Sequence, residues 1–270
     1  MELPIKTDKP IIIPIKKIVQ ENSRVKSFYF NYPLAAQPGQ FIMIWVPGED
    51  EKPFGIIKQS KDNFLVSIAA IGPTTKKIHE LKVGDRLGVR GAYGSFFTLP
   101  QKKGKIALIA GGYGMAPLAF LAQTAAEKGF QVDIILGART KNELLKYSWL
   151  KNKKIKFFIA TDDGSSGFKG FVPVLFQKYL EKNKPTYSYF VGPEIMELKL
   201  ADICNQKEIP FQLSLERYMK CGFGICGQCS VDPTGWRMCV EGPVFDNQRL
   251  KKIIEFGKYK RDGSGKKIYL

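Results

Sequence analysis

The stretch that decides the fold is Ile106-Ala107-Leu108-Ile109-Ala110-Gly111-Gly112-Tyr113-Gly114-Met115-Ala116-Pro117. It opens on an unbroken apolar run, the text of a strand covered on both faces, and then turns to glycines. An Ala-rich helical stretch runs from Pro117 to Lys128, and a second apolar run follows, Val132-Asp133-Ile134-Ile135-Leu136. Strand, helix and strand in that order predict a parallel sheet with helices on its faces. Two further strands, Lys156-Phe157-Phe158-Ile159-Ala160 and Tyr187-Ser188-Tyr189-Phe190-Val191, extend it.

Each strand runs into a loop bearing Gly or Asp, the place where ligands sit in such sheets. In the first loop Gly111, Gly112 and Gly114 allow close backbone approach, Pro117 suits a first helical turn, and the helix N-terminus offers free N–H groups to a pyrophosphate. The loop is not G-x-G-x-x-G, and a turn built only for packing looks the same. Its weight comes from the series: Gly137-Ala138-Arg139, Thr161-Asp162-Asp163-Gly164 and Gly192-Pro193-Glu194 each follow an apolar strand on what should be one edge.

Upstream, from Ile11 to about Leu99, the text changes to short β-rich segments. Ser27–Phe30, Phe41–Val46, Phe64–Ile68 and Arg86–Arg90 are separated by turn signals such as Pro38-Gly39 and Val83-Gly84-Asp85. A small antiparallel barrel is the expectation. Pro100-Gln101-Lys102-Lys103-Gly104-Lys105 then links the two patterns.

Downstream of Pro210 the cysteines gather. Four of the five, Cys221, Cys226, Cys229 and Cys239, fall within nineteen positions, and Cys204 stands apart on an expected helix as a small buried hydrophobe. The C-x4-C-x2-C spacing with a fourth Cys after nine intervening residues is the plant-type 2Fe-2S arrangement with a shortened final gap. Gly222, Gly224 and Gly227 let the backbone wrap an inorganic core and aim N–H groups at its sulfurs. Zinc is the alternative, although zinc modules usually pair two C-x2-C knuckles and only one x2 pair is present. The chain closes on a basic, Gly-containing tail of the kind that is often mobile at chain ends.

The 270 residues are 44% apolar and 25% charged, enough for a sizeable core in two or three units. The formal charge of +17 fits nucleic acid, an anionic membrane surface, or an acidic protein or cofactor. Lysines spread along the whole chain favour a generally basic surface over a nucleic-acid reader. A single histidine, His79, excludes mechanisms that need a His pair. No apolar run approaches the roughly 18 residues of a membrane span, and Met1-Glu2-Leu3-Pro4 lacks the regions of a signal peptide, so a cytoplasmic protein is expected.

The order of motifs resembles the ferredoxin-NADP reductase superfamily. Within it, Leu215–Cys229 closing on Cys239-Val240-Glu241-Gly242-Pro243-Val244-Phe245 looks like the electron-transfer subunits of class 1B dihydroorotate dehydrogenases. The resemblance implies an α+β multidomain fold: an antiparallel β-barrel flavin domain (1–100), an α/β parallel-sheet nucleotide domain (101–209), and a small C-terminal 2Fe-2S module with a basic tail (210–270). It implies Cys221, Cys226, Cys229 and Cys239 as cluster ligands. The family's flavin motif Arg-Pro-x-Ser reads Lys52-Pro53-Phe54-Gly55: the lysine keeps a point charge without the guanidinium fork, and Gly55 has no hydroxyl. Without the family, that stretch reads as an ordinary turn. The later Gly-Thr contact corresponds to Thr74-Thr75, and Ile68, within Ser67-Ile68-Ala69, stands where an aromatic residue is usual.

In the nucleotide domain Gly111, Gly112, Gly114 and Pro117 match the family's first loop, and Thr161 and Asp162 its second. Gly192 and Pro193 match the turn beside the nicotinamide, where Val191 replaces the usual cysteine. The implied cofactors are FAD, a 2Fe-2S cluster and NAD. The implied partner is the FMN-containing dihydroorotate dehydrogenase catalytic subunit in a heterotetramer of two of each, with no nucleic acid and no membrane. Electrons would pass from the partner's FMN through the cluster and FAD to NAD in pyrimidine biosynthesis, with no catalytic acid or base on this chain. Two alternatives stay open: an electron-transfer subunit of a cytosolic hydrogenase or sulfite reductase, and a zinc-stabilised basic nucleic-acid-binding protein.

Overall fold

In a computed structural model residues 9–270 are described, and the reading of Met1–Pro4 lies outside them. Six strands, β1 (Ile11–Gln20), β2 (Val25–Phe30), β3 (Phe41–Trp45), β4 (Glu51–Gln59), β5 (Phe64–Ala69) and β6 (Arg86–Tyr93), close into a barrel in the order β1-β2-β5-β4-β3-β6. All pairings are antiparallel. Successive side chains of a strand point to opposite faces. Ile13 and Ile15, Phe28 and Phe30, Ile42 and Ile44, Phe64, Val66 and Ile68, and Leu87 and Val89 therefore meet inside it. A short helix, α1 (Pro73–Glu80), spans the connection from β5 to β6. Lys52-Pro53-Phe54-Gly55 is not a turn: it lies within β4, with Pro53 paired opposite Met43. Pairing with β3 overrides the local turn signal of proline and glycine, and β5 joins β4 only from Ile56 onward.

The second unit begins with β7 (Lys105–Gly111), a single 3-10 turn (Gly112–Gly114) and α2 (Met115–Glu127). Next come β8 (Gln131–Ala138), β9 (Ile155–Thr161), β10 (Phe168–Lys169), α3 (Val172–Lys182), β11 (Tyr187–Val191), α4 (Glu194–Gln206) and β12 (Phe211–Ser214). After β12 lie the hairpin β13 (Ser230–Val231) and β14 (Trp236–Arg237), then β15 (Val244–Asp246) and α5 (Asn247–Leu250). The sheet runs β10-β9-β8-β7-β11-β12-β15, parallel except for β15 on β12. Ile106, Leu108 and Ala110 pack toward α2 while Ala107 and Ile109 pack toward α3 and α4, which is why the whole run is apolar. The cluster region thus contributes the last two strands of the nucleotide sheet.

The basic tail differs from the expectation. It forms a hairpin, β16 (Tyr259–Arg261) with β17 (Lys267–Tyr269), fastened by Tyr259 Oη donating to Asp232 at 2.8 Å and by Arg261 pairing with Asp232 and Glu255. Among the described residues no helix is long and apolar enough to cross a membrane.

Candidate functional site

The loops expected on one sheet edge do lie there. Ala110 is opposite Val191, Gly111 opposite Gly137, and Ala138 opposite Thr161. The chain runs from β7 outward through β8 and β9, then returns to β7's other side as β11, so the strand order reverses between β7 and β11. The crevice outside the carboxyl ends at that point is where open α/β sheets bind ligands. The glycines let its two loops touch. A Cβ on Gly114 would sit 2.0 Å from the Val191 carbonyl oxygen, one on Gly111 2.8 Å from Pro193 Cδ, and one on Gly192 3.1 Å from Gly111 Cα. Gly112 instead has φ +54 and faces open space, so the crevice offers bare backbone there.

Behind the Gly192–Pro193 turn, Glu197 accepts a hydrogen bond from the Gly192 N–H at 3.1 Å and is 1% exposed. Burial pushes its carboxyl well above the usual range, against the opposing pull of that N–H. Thr161 is consumed by its own loop: its hydroxyl donates to the Ser166 carbonyl and accepts from the Ser166 N–H, both at 2.9 Å. Asp162 is exposed at the same edge.

On the barrel, Lys52 pairs with Asp50 and its ammonium lies 5.6 Å from the centroid of the Tyr218 ring, near the cluster loop. A Cβ on Gly55 would lie 3.6 Å from Pro117, so the end of the flavin motif abuts the helix that opens the nucleotide loop. Thr74 and Thr75 begin α1, and the Thr75 hydroxyl accepts from the Ile71 and Gly72 N–H groups. Ser67 faces outward, bonded to Ser27 at 2.8 Å and to the Tyr147 hydroxyl at 3.0 Å, and Ala69 shares that face. Ile68 points into the barrel core with no exposed surface, so only its backbone is available to a ligand. Its carbonyl lies 2.8 Å from His79 Nε2, which gives the single histidine a structural bond.

The four clustered cysteines stand as two pairs. The Cys226 N–H donates to Cys221 Sγ at 3.4 Å, and the Cys229 and Cys239 sulfurs are 3.5 Å apart. Among the described residues, no three His, Cys, Asp or Glu side chains close around one point. Partial burial works against the Cys221 thiolate, yet the N–H groups of Cys226, Phe223 and Ile225 bring its pKa down to about 6. Cys239 holds Cys229 down to about 7 and is itself pushed up as the partner that keeps the proton. Gly222, Gly224 and Gly227 all adopt positive φ, the backbone freedom this wrapping loop requires. Four clustered cysteines, with one pair of sulfurs in contact and N–H groups directed at the Cys221 sulfur, fit a 2Fe-2S core.

Three features escaped the sequence reading. Gly222 of the cluster loop packs on the barrel, since a Cβ there would lie 2.6 Å from Met43 of β3. Arg90 of β6 donates from Nη2 to the Cys221 carbonyl at 2.6 Å. A charge inside the otherwise apolar Leu87-Gly88-Val89-Arg90 strand was the available signal. Arg217 joins α4 to the cluster region, bonding Glu194 at 2.6 and 3.1 Å and Glu255 at 2.6 Å in a buried group from which Glu255 reaches out to the more exposed Arg261 and Asp232.

Residues 216–251 match the iron-sulfur cluster binding domain of dihydroorotate dehydrogenase B, and residues 108–202 the oxidoreductase NAD-binding domain. A Methanocaldococcus jannaschii protein named "Probable dihydroorotate dehydrogenase B (NAD(+)), electron transfer subunit" is 49% identical over 97% of this chain and 99% of its own. A Methanothermobacter thermautotrophicus protein of the same name is 43% identical over 96% and 97%. The solved NADH-dependent reduced ferredoxin-NADP oxidoreductase, described for flavin-based electron bifurcation, superposes with a TM-score of 0.79 at 28% identity, covering 91% of this chain and 94% of that one.

Proposed function

The chain belongs to the family of dihydroorotate dehydrogenase B electron transfer subunits, and from that membership we propose that it relays electrons from the FMN of a dihydroorotate dehydrogenase catalytic subunit to NAD in pyrimidine biosynthesis. The observation that carries the reading is one pair of neighbouring barrel strands touched from both sides. The cluster loop rests on Met43 of β3, and the nucleotide-loop helix rests against Gly55 of β4. A flavin on β4 is then within reach of both the cluster and the nicotinamide crevice.

In this reading Cys221, Cys226, Cys229 and Cys239 hold the 2Fe-2S cluster. Lys52, Pro53, Phe54 and Gly55 hold FAD, with Thr74, Thr75, Ser67, Ala69 and the Ile68 backbone around it. Gly111, Gly112, Gly114, Pro117, Thr161, Asp162, Gly192 and Pro193 form the NAD crevice. FAD joins one-electron exchange with a cluster to two-electron exchange with nicotinamide. The chain's own groups do the positioning: bare glycine backbone admits the dinucleotide, the α2 N-terminus faces its phosphates, and Glu197 fixes the Gly192 peptide. We assign 1–100 to the flavin barrel, 101–209 to the nucleotide domain and 210–270 to the cluster module, with β12 and β15 shared into the nucleotide sheet. The assembly is a cytoplasmic heterotetramer of two relay and two catalytic subunits.

The test mixes subunits. Alone, this chain reduces artificial dyes with NADH and forms no orotate from dihydroorotate. Adding the catalytic subunit gives NAD reduction by dihydroorotate. Steady orotate formation by this chain alone, or no stimulation on mixing, refutes the relay reading.

A further inference from the structure

Arg90 occupies the seam between the barrel and the cluster loop. Its side chain is only 6% exposed and forks onto Glu51, with Nε donating to Oε1 at 2.7 Å and Nη2 bonding Oε2. The same Nη2 donates to the Cys221 carbonyl, and the guanidinium lies 4.7 Å from the centroid of the Phe223 ring. Nη1 is buried and has no hydrogen-bond acceptor among the described residues. Across the barrel surface Arg90 is opposite Met43, and Met43 is opposite Pro53 of the proposed flavin strand. One row of three strands therefore runs from the guanidinium, under the cluster loop, to the flavin motif.

Arginine keeps its proton even when buried, and the fork onto the Glu51 carboxylate supports the charge, so Arg90 is a cation in the seam. Reducing a thiolate-bound cluster by one electron adds a negative charge to an already anionic group. A fixed cation in a low-dielectric seam stabilises that charge far more than a solvated one does. Glu51 opposes it from the same seam. Arg237 of β14, which also touches the cluster loop, donates to the Gly224 carbonyl at 2.8 Å but is 38% exposed and paired with Glu241, so solvent screens it.

We propose that Arg90 is a positioning residue that clamps the first cluster ligand to the flavin barrel and, balanced by Glu51, sets the reduction potential of the cluster. The inference rests on the cluster reading above.

The test is an EPR-monitored redox titration of the iron-loaded protein with its flavin, using dithionite as the one-electron reductant. Arg90→Met should make reduction tenfold or more less favourable, a midpoint about 59 mV more negative. Glu51→Gln should move the midpoint the opposite way, Arg90→Lys should recover part of the loss, and Arg237→Gln should shift it less than Arg90→Met. An Arg90→Met protein that keeps its iron and the parent midpoint overturns the proposal. Shifts of the same sign in Arg90→Met and Glu51→Gln also overturn it, since a loosened loop does not distinguish the sign of the lost charge. If Arg90→Met fails to retain iron, an unchanged midpoint in Glu51→Gln is decisive against it. A parent protein without iron and without an EPR signal on reduction overturns the cluster reading itself, and that result is separate from any shift.

Discussion

Replacing Arg217 with methionine removes the centre of the chain that holds α4 against the cluster region. The side chain is 3% exposed, and its partners Glu194 and Glu255 are 9% and 1% exposed, so both carboxylates stay in a dry site when the guanidinium goes. Removing one partner of a buried ion pair costs about 3–5 kcal/mol. Glu194 keeps the Gly257 N–H at 2.8 Å and Glu255 keeps Arg261 at 3.0 Å, which places the expected loss near the lower end, about 3 kcal/mol. At roughly 2–4 °C per kcal/mol for chains of this order, the thermal midpoint should fall by about 6–12 °C. Circular dichroism melting with iron analysis reads it. Glu194 directly follows the Gly192–Pro193 turn, so KM for NADH in dye reduction should also rise. Adding Glu194→Met and Glu255→Leu should restore most of the midpoint, because an apolar set of similar volume leaves no buried charge. A midpoint within 2 °C of the parent for Arg217→Met alone would refute the buried-network argument.

Gly114→Ala should disrupt the nucleotide loop and cost about 1–3 kcal/mol or more through overpacking, since its Cβ meets the Val191 carbonyl oxygen at 2.0 Å. Gly112→Ala, which meets open space, should cost only the roughly 1–2 kcal/mol of a left-handed backbone; equal unfolding midpoints for the two would contradict the close-approach account. Glu197 binds a proton more tightly folded than unfolded, so its contribution is full below the unfolded pKa near 4.3 and is lost as pH rises through the folded value. Glu197→Gln should therefore gain on the parent between pH 5 and pH 8 in urea midpoints, and a gap independent of pH would rule this out. Cys226→Ser should lose iron while flavin absorbance stays, because the ligand set lies in the C-terminal module; parent-level iron would remove Cys226 from it. Lys52→Arg with Gly55→Ser should tighten FAD retention on dilution, since the added Cβ has room 3.6 Å from Pro117; unchanged retention would move the flavin off this strand.

What was legible in the sequence was local. The run Ile106–Ala110, its glycine loop and the helix after it sit within one strand-loop-helix unit, whose hydrophobic periods can be read in order. The cysteine spacing carries its chemistry for the same reason: four thiols within nineteen positions need no distant chain to converge. What the sequence left open depends on pairing and burial. Lys52–Gly55 has the residues of a turn, and only pairing with β3 makes it strand. The seam between Arg90 and Cys221 joins residues 131 positions apart, and Gly55 meets Pro117 across two units. Arg217 gives no local sign that Glu194 and Glu255 will surround it. The sequence by itself determined the strand-loop-helix unit and the cysteine spacing on which the proposed cluster rests, because backbone period and residue spacing act over neighbouring residues. Only the tertiary structure decided which strands the cluster and the nucleotide loop share, because those contacts arise from how three separately patterned stretches bury their faces against one another.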